Sequence, residues 1–139
     1  AYDNSIVETD HFLNSVIQWL EAKEGHADTA MVYVADHGES LGENGIYLHG
    51  MPYSIAPDVQ KHVPWVTWLS PSMQTRTGIS TGCLQQNMRD KRISHDSYFH
   101  SVLGLLDVQT GLHQLALDVY ADCAAATSAS ASKKMPLPG

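Results

Sequence analysis

The sequence is short of positive charge. Its 8 Lys and Arg stand against 15 Asp and Glu, a formal net charge of −7, and the basic residues gather in nothing larger than Arg89, Lys91 and Arg92 or the terminal Lys133 and Lys134. Phosphate backbones are held by a concentrated positive face, so nucleic acid is a poor partner class and none is expected. Long apolar runs are missing as well. None approaches the roughly 18 to 20 residues of a membrane-spanning helix, and the chain does not open on the charged, apolar and small-residue pattern of a signal peptide. Any export or anchoring information is therefore expected outside this sequence. Cysteine is scarce: Cys83 and Cys123 stand too far apart for a CxxC redox motif or a zinc knuckle, which leaves two buried thiols or one disulfide. A disordered chain is also unlike this composition. At 139 residues, 43% hydrophobic and 17% charged, it has the size and apolar content of one packed domain.

What is present concentrates in MVYVADHGESLGENGIYLHG, residues 31–50. An apolar run from Met31 to Ala35 ends in Asp36 and His37, and the loop that follows holds four of the chain's ten glycines, Gly38, Gly42, Gly45 and Gly50. The pattern is that of a buried strand delivering polar chemistry to a loop. Upstream, Ile6, Val7, Phe12, Leu13, Val16, Ile17 and Leu20 recur at helical spacing, which predicts an amphipathic helix over 5–24. Asp3, Asn4 and Ser5 are its candidate caps and Gly25 its stop. Downstream, VPWVTWL at 63–69 predicts a second strand, with Pro64 tolerable only at its start or on an edge. A short helix is expected around 82–88 and a strongly apolar one from Ser94, its N-cap, through Leu106. A last helix is expected over 112–123, and residues 124–139 read as a low-complexity tail. A continuous apolar strand after a helix favours a parallel sheet covered on both faces. Two strands cannot bury both faces of such a sheet, so the chain is expected to be part of a larger domain.

Ligands of open α/β sheets bind beyond the carboxyl ends of the strands, which is where Asp36 and His37 fall. Carboxylate beside imidazole suits zinc better than calcium, which prefers oxygen alone. Neighbouring strand residues point to opposite faces, so both reach one ion only if the backbone turns, a freedom expected from Gly38. The plainer alternative is a polar turn in which Asp36 caps a backbone amide. Glu39, Glu43 and His49 add carboxylates and an imidazole to the same loop, Glu43 being read as a solvated charge. His95 and His100 fall on different faces of their helix. His11, His26, His62 and His113 read as surface or capping residues. Ser40 lacks a GxSxG elbow. Tyr47 and Tyr53 are expected to pack the loop, and Trp65 and Trp68 to serve core and sheet edge.

The run DHGESLGENGIYLHG, then PYSIAP and VPWVTWLS, strongly resembles the phosphoethanolamine transferases that modify lipid A, including those that cause polymyxin resistance. The resemblance extends back to AYDNSIVETD and forward through SHDSYFHSVLGLLDVQTGL, covering about residues 1–123. It implies a soluble domain like that of alkaline phosphatases and sulfatases: a partial α/β/α sandwich, its mostly parallel sheet covered by helices. It also implies a zinc site and attachment to the periplasmic face of the bacterial inner membrane through a missing N-terminal region. By the same resemblance Asp36 and His37 match zinc ligands. His49 matches a histidine that engages the substrate phosphate or an additional zinc, and Glu39 an acidic residue at the donor headgroup. The family's threonine nucleophile, a glutamate ligand and a further histidine have no counterpart here. The chain is thus expected to be the C-terminal portion of the catalytic domain, inactive alone. The reaction implied is double displacement. Threonine, its pKa lowered by zinc, attacks the phosphorus of phosphatidylethanolamine, and a lipid A phosphate then accepts the phosphoethanolamine. The periplasmic setting implied by the resemblance favours a Cys83–Cys123 disulfide. Two alternatives stand beside this reading: a sulfatase or phosphodiesterase of the same superfamily, and a non-catalytic fragment acting by association.

Overall fold

The structure is a computed structural model, and it describes residues 2–124. The chain divides after Ser70 into two compact units. The tail expected over 124–139 lies outside the described residues except for Ala124.

In the first unit, helix α1 (Tyr2–Glu21) starts earlier than its expected caps. Ser5 is inside the helix, and its hydroxyl donates to the Tyr2 carbonyl at 2.6 Å. Leu13, Val16, Ile17 and Leu20 form the half-buried stripe that the helical period requires, while Ile6, Val7, Phe12 and Trp19 remain exposed. Gly25, at φ 84°, closes the turns after the helix in a left-handed conformation that a β-carbon disfavours. Strand β1 (Ala30–Val34) then pairs with β4 (Trp65–Leu69), from Ala30 opposite Leu69 to Val34 opposite Trp65. Pro64 immediately precedes β4, and its carbonyl accepts the Ala35 N–H at 3.3 Å. The far end is clasped by Ser70, fully buried: its N–H donates to Thr29 O at 2.9 Å and its Oγ accepts the Thr29 N–H at 3.1 Å.

This strand pair is antiparallel, against the parallel sense expected from its apolar run. The connection explains the difference. A parallel return needs a crossover of a dozen residues or more, usually a helix. Between β1 and β4 the chain forms a small hairpin, β2 (Ser40–Leu41) with β3 (Tyr47–Leu48), and one helical turn, α2 (Asp58–Lys61). Neither carries the chain back to the start of β1.

The second unit is helical. Pro71 opens α3 (Pro71–Thr77), where its fixed φ and missing N–H cost nothing, so a residue read as a strand terminator is also a helix start. Gly78, at φ 67°, ends α3. Helix α4 (Thr81–Asp90) is capped by Ser80, whose Oγ accepts the Cys83 N–H at 3.3 Å. Helix α5 (Asp96–Leu105) has its cap where the sequence placed it: Ser94 Oγ accepts the Asp96 N–H at 3.3 Å, and His95 already has helical dihedrals. Ser97, His100, Ser101 and Leu105 are its buried residues. The helix expected over 112–123 is instead irregular chain with two 3₁₀ turns, Leu115–Leu117 and Ala121–Cys123. It is held by polar contacts to α5. Ser101 Oγ accepts the Val119 N–H at 3.0 Å, and His100 Nδ1 accepts the Gln114 N–H at 3.1 Å. Cys83 and Cys123 form a disulfide, and Lys91 pairs with Asp122. The Tyr120 side chain, 2% exposed, is the largest buried group of the described residues.

Candidate metal centre

The end of β1 is turned by a local contact and a close approach. Asp36 Oδ1 accepts the His37 N–H at 3.0 Å, and Oδ2 lies 3.6 Å from His37 Nε2. Gly38 donates its N–H to the Gln60 carbonyl at 3.0 Å, and a β-carbon at Gly38 would collide with the Val59 carbonyl. Its φ is not among the positive ones, so proximity to α2 rather than rotational freedom demands glycine.

The hairpin brings His49 back to this turn. Asn44 (φ 54°) and Gly45 (φ 74°) take consecutive left-handed conformations, and the Ile46 N–H donates to Glu43 O at 2.9 Å, as in a type I′ turn. Glu43 braces the turn by accepting the Leu41 N–H at 2.8 Å. Its own backbone N–H, then those of Leu41 and Gly42, hold its carboxyl below the ordinary value of 4.5. Leu48, at φ 65°, and Gly50, at φ 97°, flank His49 and turn the chain on either side of it.

Three side chains converge as a result. His37, Glu39 and His49 each offer a ligand atom, all within 4.8 Å of one another. The His37 and His49 rings stack at 3.8 Å. Glu39 Oε2 is 3.0 Å from His49 Nδ1, while Glu39 Oε1 is buried and has no hydrogen-bond partner. Proton placement follows from the partners. The Gly38 carbonyl, 3.0 Å from His37 Nδ1, can only accept, and so does the Glu39 carboxylate, so both Nδ1 atoms donate. Both Nε2 lone pairs are thereby left for a ligand. Two imidazoles and a carboxylate make a donor set that fits zinc, and a cation would satisfy the orphaned Glu39 oxygen. Asp36 stands at the rim, its side chain 89% exposed.

Other sequence expectations fare differently. Tyr47 and Tyr53 are exposed rather than packed, at 69% and 80%. Ser40 is 1% exposed and accepts a hydrogen bond from Gln60 Nε2 at 2.8 Å, a link for which the polar 58–62 stretch gave no signal. His113 is no surface residue. Its side chain is 17% exposed and its Nε2 lies 3.1 Å from Asp118 Oδ2, an acid whose side chain is 3% exposed. His100 is buried near it, with ring centroids 6.3 Å apart.

Together these features define an α/β chain with a metal-competent cluster beyond a strand end. The chain belongs to the sulfatase family, whose model matches residues 1–108. Within it, the phosphoethanolamine transferase EptA of Salmonella typhimurium is 46% identical over 123 residues, which are 88% of this chain and 22% of that enzyme. The integral membrane protein lipooligosaccharide phosphoethanolamine transferase A (EptA) from Neisseria meningitidis shares the fold with a TM-score of 0.84 at 43% identity. That match covers 88% of this chain and 23% of the other. The C-terminal periplasmic domain of phosphoethanolamine transferase EptC from Campylobacter jejuni matches with a TM-score of 0.72 at 36% identity, over 86% of this chain and 36% of that one. The chain thus spans about a fifth of the full-length relatives. No helix among the described residues is long and apolar enough to cross a membrane.

Proposed function

We propose that this chain is part of the catalytic domain of a zinc-dependent phosphoethanolamine transferase, which moves phosphoethanolamine from phosphatidylethanolamine to lipid A at the periplasmic face of the inner membrane. The observation that carries the reading is the buried, unpartnered Oε1 of Glu39, whose carboxylate clusters with the stacked His37 and His49. A buried carboxylate oxygen without a partner is costly in isolation and well used beside a cation, whether a metal or an ammonium headgroup.

Asp36 and His37 are the zinc ligands from this chain, His37 through the Nε2 that its Gly38 contact leaves free. Glu39 faces the ethanolamine ammonium of the donor. His49, oriented by Glu39, engages the phosphoryl group as a donor from Nε2 when doubly protonated, or an additional zinc through the Nε2 lone pair. Bound zinc supplies Lewis acidity, which activates a hydroxyl nucleophile and draws charge from the phosphoryl oxygens. The attacking group belongs to the remainder of the domain. Adding phosphoethanolamine to lipid A phosphates brings a positive charge to the outer envelope, which accounts for the polymyxin resistance this reading includes.

The test is mass spectrometry of lipid A from cells expressing the full-length enzyme. Addition of phosphoethanolamine is expected, with a matching rise in polymyxin resistance, and both are lost in Asp36→Ala and His37→Ala. Full transfer by both variants would remove the ligand assignment. Hydrolysis of sulfate esters without lipid A transfer would favour the sulfatase reading instead.

A further inference from the structure

Glu39 alone of the clustered residues has a side chain that is mostly buried yet incompletely satisfied, so something must hold its backbone in place. The residues on either side of it are both bound to Gln60. Gly38 donates its N–H to the Gln60 carbonyl at 3.0 Å, and the Gln60 side-chain amide donates to Ser40 Oγ at 2.8 Å. Gln60 is 7% exposed and Ser40 1%, so both contacts are shielded from competing water. Gly38 and Ser40 both bond toward α2, whereas the Glu39 carboxylate between them reaches His49 at 3.0 Å. At Gly38 the approach is close enough that no β-carbon fits.

We propose that Gln60 is a positioning residue: it grips the chain before and after Glu39 and so fixes the Glu39 carboxylate against His49. It touches neither metal nor substrate. Partners of this kind orient ligating groups, and losing one typically weakens metal binding by roughly 10- to 100-fold. The link to metal rests on the reading under Proposed function, whereas the grip itself does not.

The experiment uses the full-length protein and the pair Gln60→Met with Ser40→Ala. Removing both partners of a buried hydrogen bond leaves no unsatisfied group, so the double variant should fold with a melting temperature close to wild type, even where Gln60→Met alone is destabilised. Hydrogen exchange is measured without metal. Amides from Gly38 to Leu41 are expected to exchange roughly fivefold or more faster in the double variant, and unchanged exchange there overturns the grip. Affinity for the additional zinc that His49 would hold, measured by chelator competition, is expected to fall by about tenfold or more although the melting temperature is kept. Wild-type affinity in the double variant overturns the positioning role, because a purely structural bond would have been compensated. Glu39→Gln serves as the control on the reading beneath. If it leaves zinc retention and transfer unchanged, the assignment of the site fails, and the exchange measurement still decides whether Gln60 holds Glu39.

Discussion

His49 Nδ1 meets Glu39 Oε2 at 3.0 Å across a hairpin, and the second Glu39 oxygen is buried without a partner. Replacing Glu39 by Gln keeps an acceptor for His49 but removes the charge that a cation needs. Transfer to lipid A by the full-length enzyme is expected to fall by roughly 10- to 100-fold in Glu39→Gln. The melting temperature of the metal-free protein should be unchanged, since no satisfied contact is lost. Calorimetry beside a lipid A assay checks both, and a parallel loss of stability would mark Glu39 as structural.

Gly38→Ala tests the same site from its backbone. The added β-carbon would collide with the Val59 carbonyl, so either α2 or the Asp36–Gly38 turn must move. Overpacking of this kind costs about 1 to 3 kcal/mol, and displacement of the turn carries His37 away from His49. Urea denaturation is expected to show the destabilisation, with transfer reduced more than tenfold, as misplaced catalytic groups commonly produce.

Much of this site was legible because its chemistry is contiguous. An apolar run broken by Asp36 and His37 marks a strand end, and Ser94 announces α5 through local capping chemistry. The three-dimensional company of these residues was less legible. Asn44-Gly45 is a turn signal, yet the four loop glycines obscured it, and the hairpin that returns His49 to Glu39 was missed. The strand sense is not legible, because a continuous apolar run reports burial on two faces and says nothing about the direction of the neighbour. His113 reads as a surface residue in the sequence because its partner Asp118 lies beyond a turn, and only the packing of that segment on α5 buries the pair.

Acid should loosen the hairpin through Glu43. Three backbone N–H groups stabilise its ionised form, so its folded value lies below the ordinary 4.5. Between those two values the unfolded chain binds the proton and the folded one does not, so stability rises with pH across that window. The contribution is full above about pH 4.5 and is lost as pH falls through the folded value. Hydrogen exchange at Leu41, whose N–H Glu43 accepts, should accelerate on acidification beyond the intrinsic rate. Glu43→Gln should flatten that dependence.

The Cys83–Cys123 disulfide closes a loop of 40 residues that runs from within α4 and contains all of α5. Tying such a loop constrains the unfolded chain by about 4 kcal/mol in the chain-entropy account. Reduction, or Cys83→Ser with Cys123→Ser, is therefore expected to lower the stability of the second unit by about 2 to 5 kcal/mol. Thermal melts with and without reductant measure the loss. Intact mass after alkylation should shift only when reductant is added first.

The remaining prediction concerns Gly104, in the last turn of α5. A β-carbon there would collide with Asp118 Oδ2, the oxygen that receives His113 Nε2. The opposite oxygen accepts the Tyr120 N–H at 2.9 Å, so the carboxylate cannot retreat without giving up a second buried bond. Gly104→Ala ordinarily gains helix propensity, by about 1 kcal/mol. Here the displaced acid should dominate: breaking a buried pair while leaving its charge enclosed costs roughly 3 to 5 kcal/mol. A net destabilisation of about 2 to 4 kcal/mol is expected from the difference. His113→Ala, which orphans the same carboxylate without a steric clash, should reproduce most of it. Asp118→Asn retains an acceptor for Tyr120, turns an amide NH2 that can donate to an unprotonated Nε2 toward His113, and leaves no enclosed charge, so it should lose distinctly less than either. Chemical denaturation of the three variants checks the order, and equal losses would show that volume at Gly104, rather than the Asp118 pairing, sets the stability of this corner.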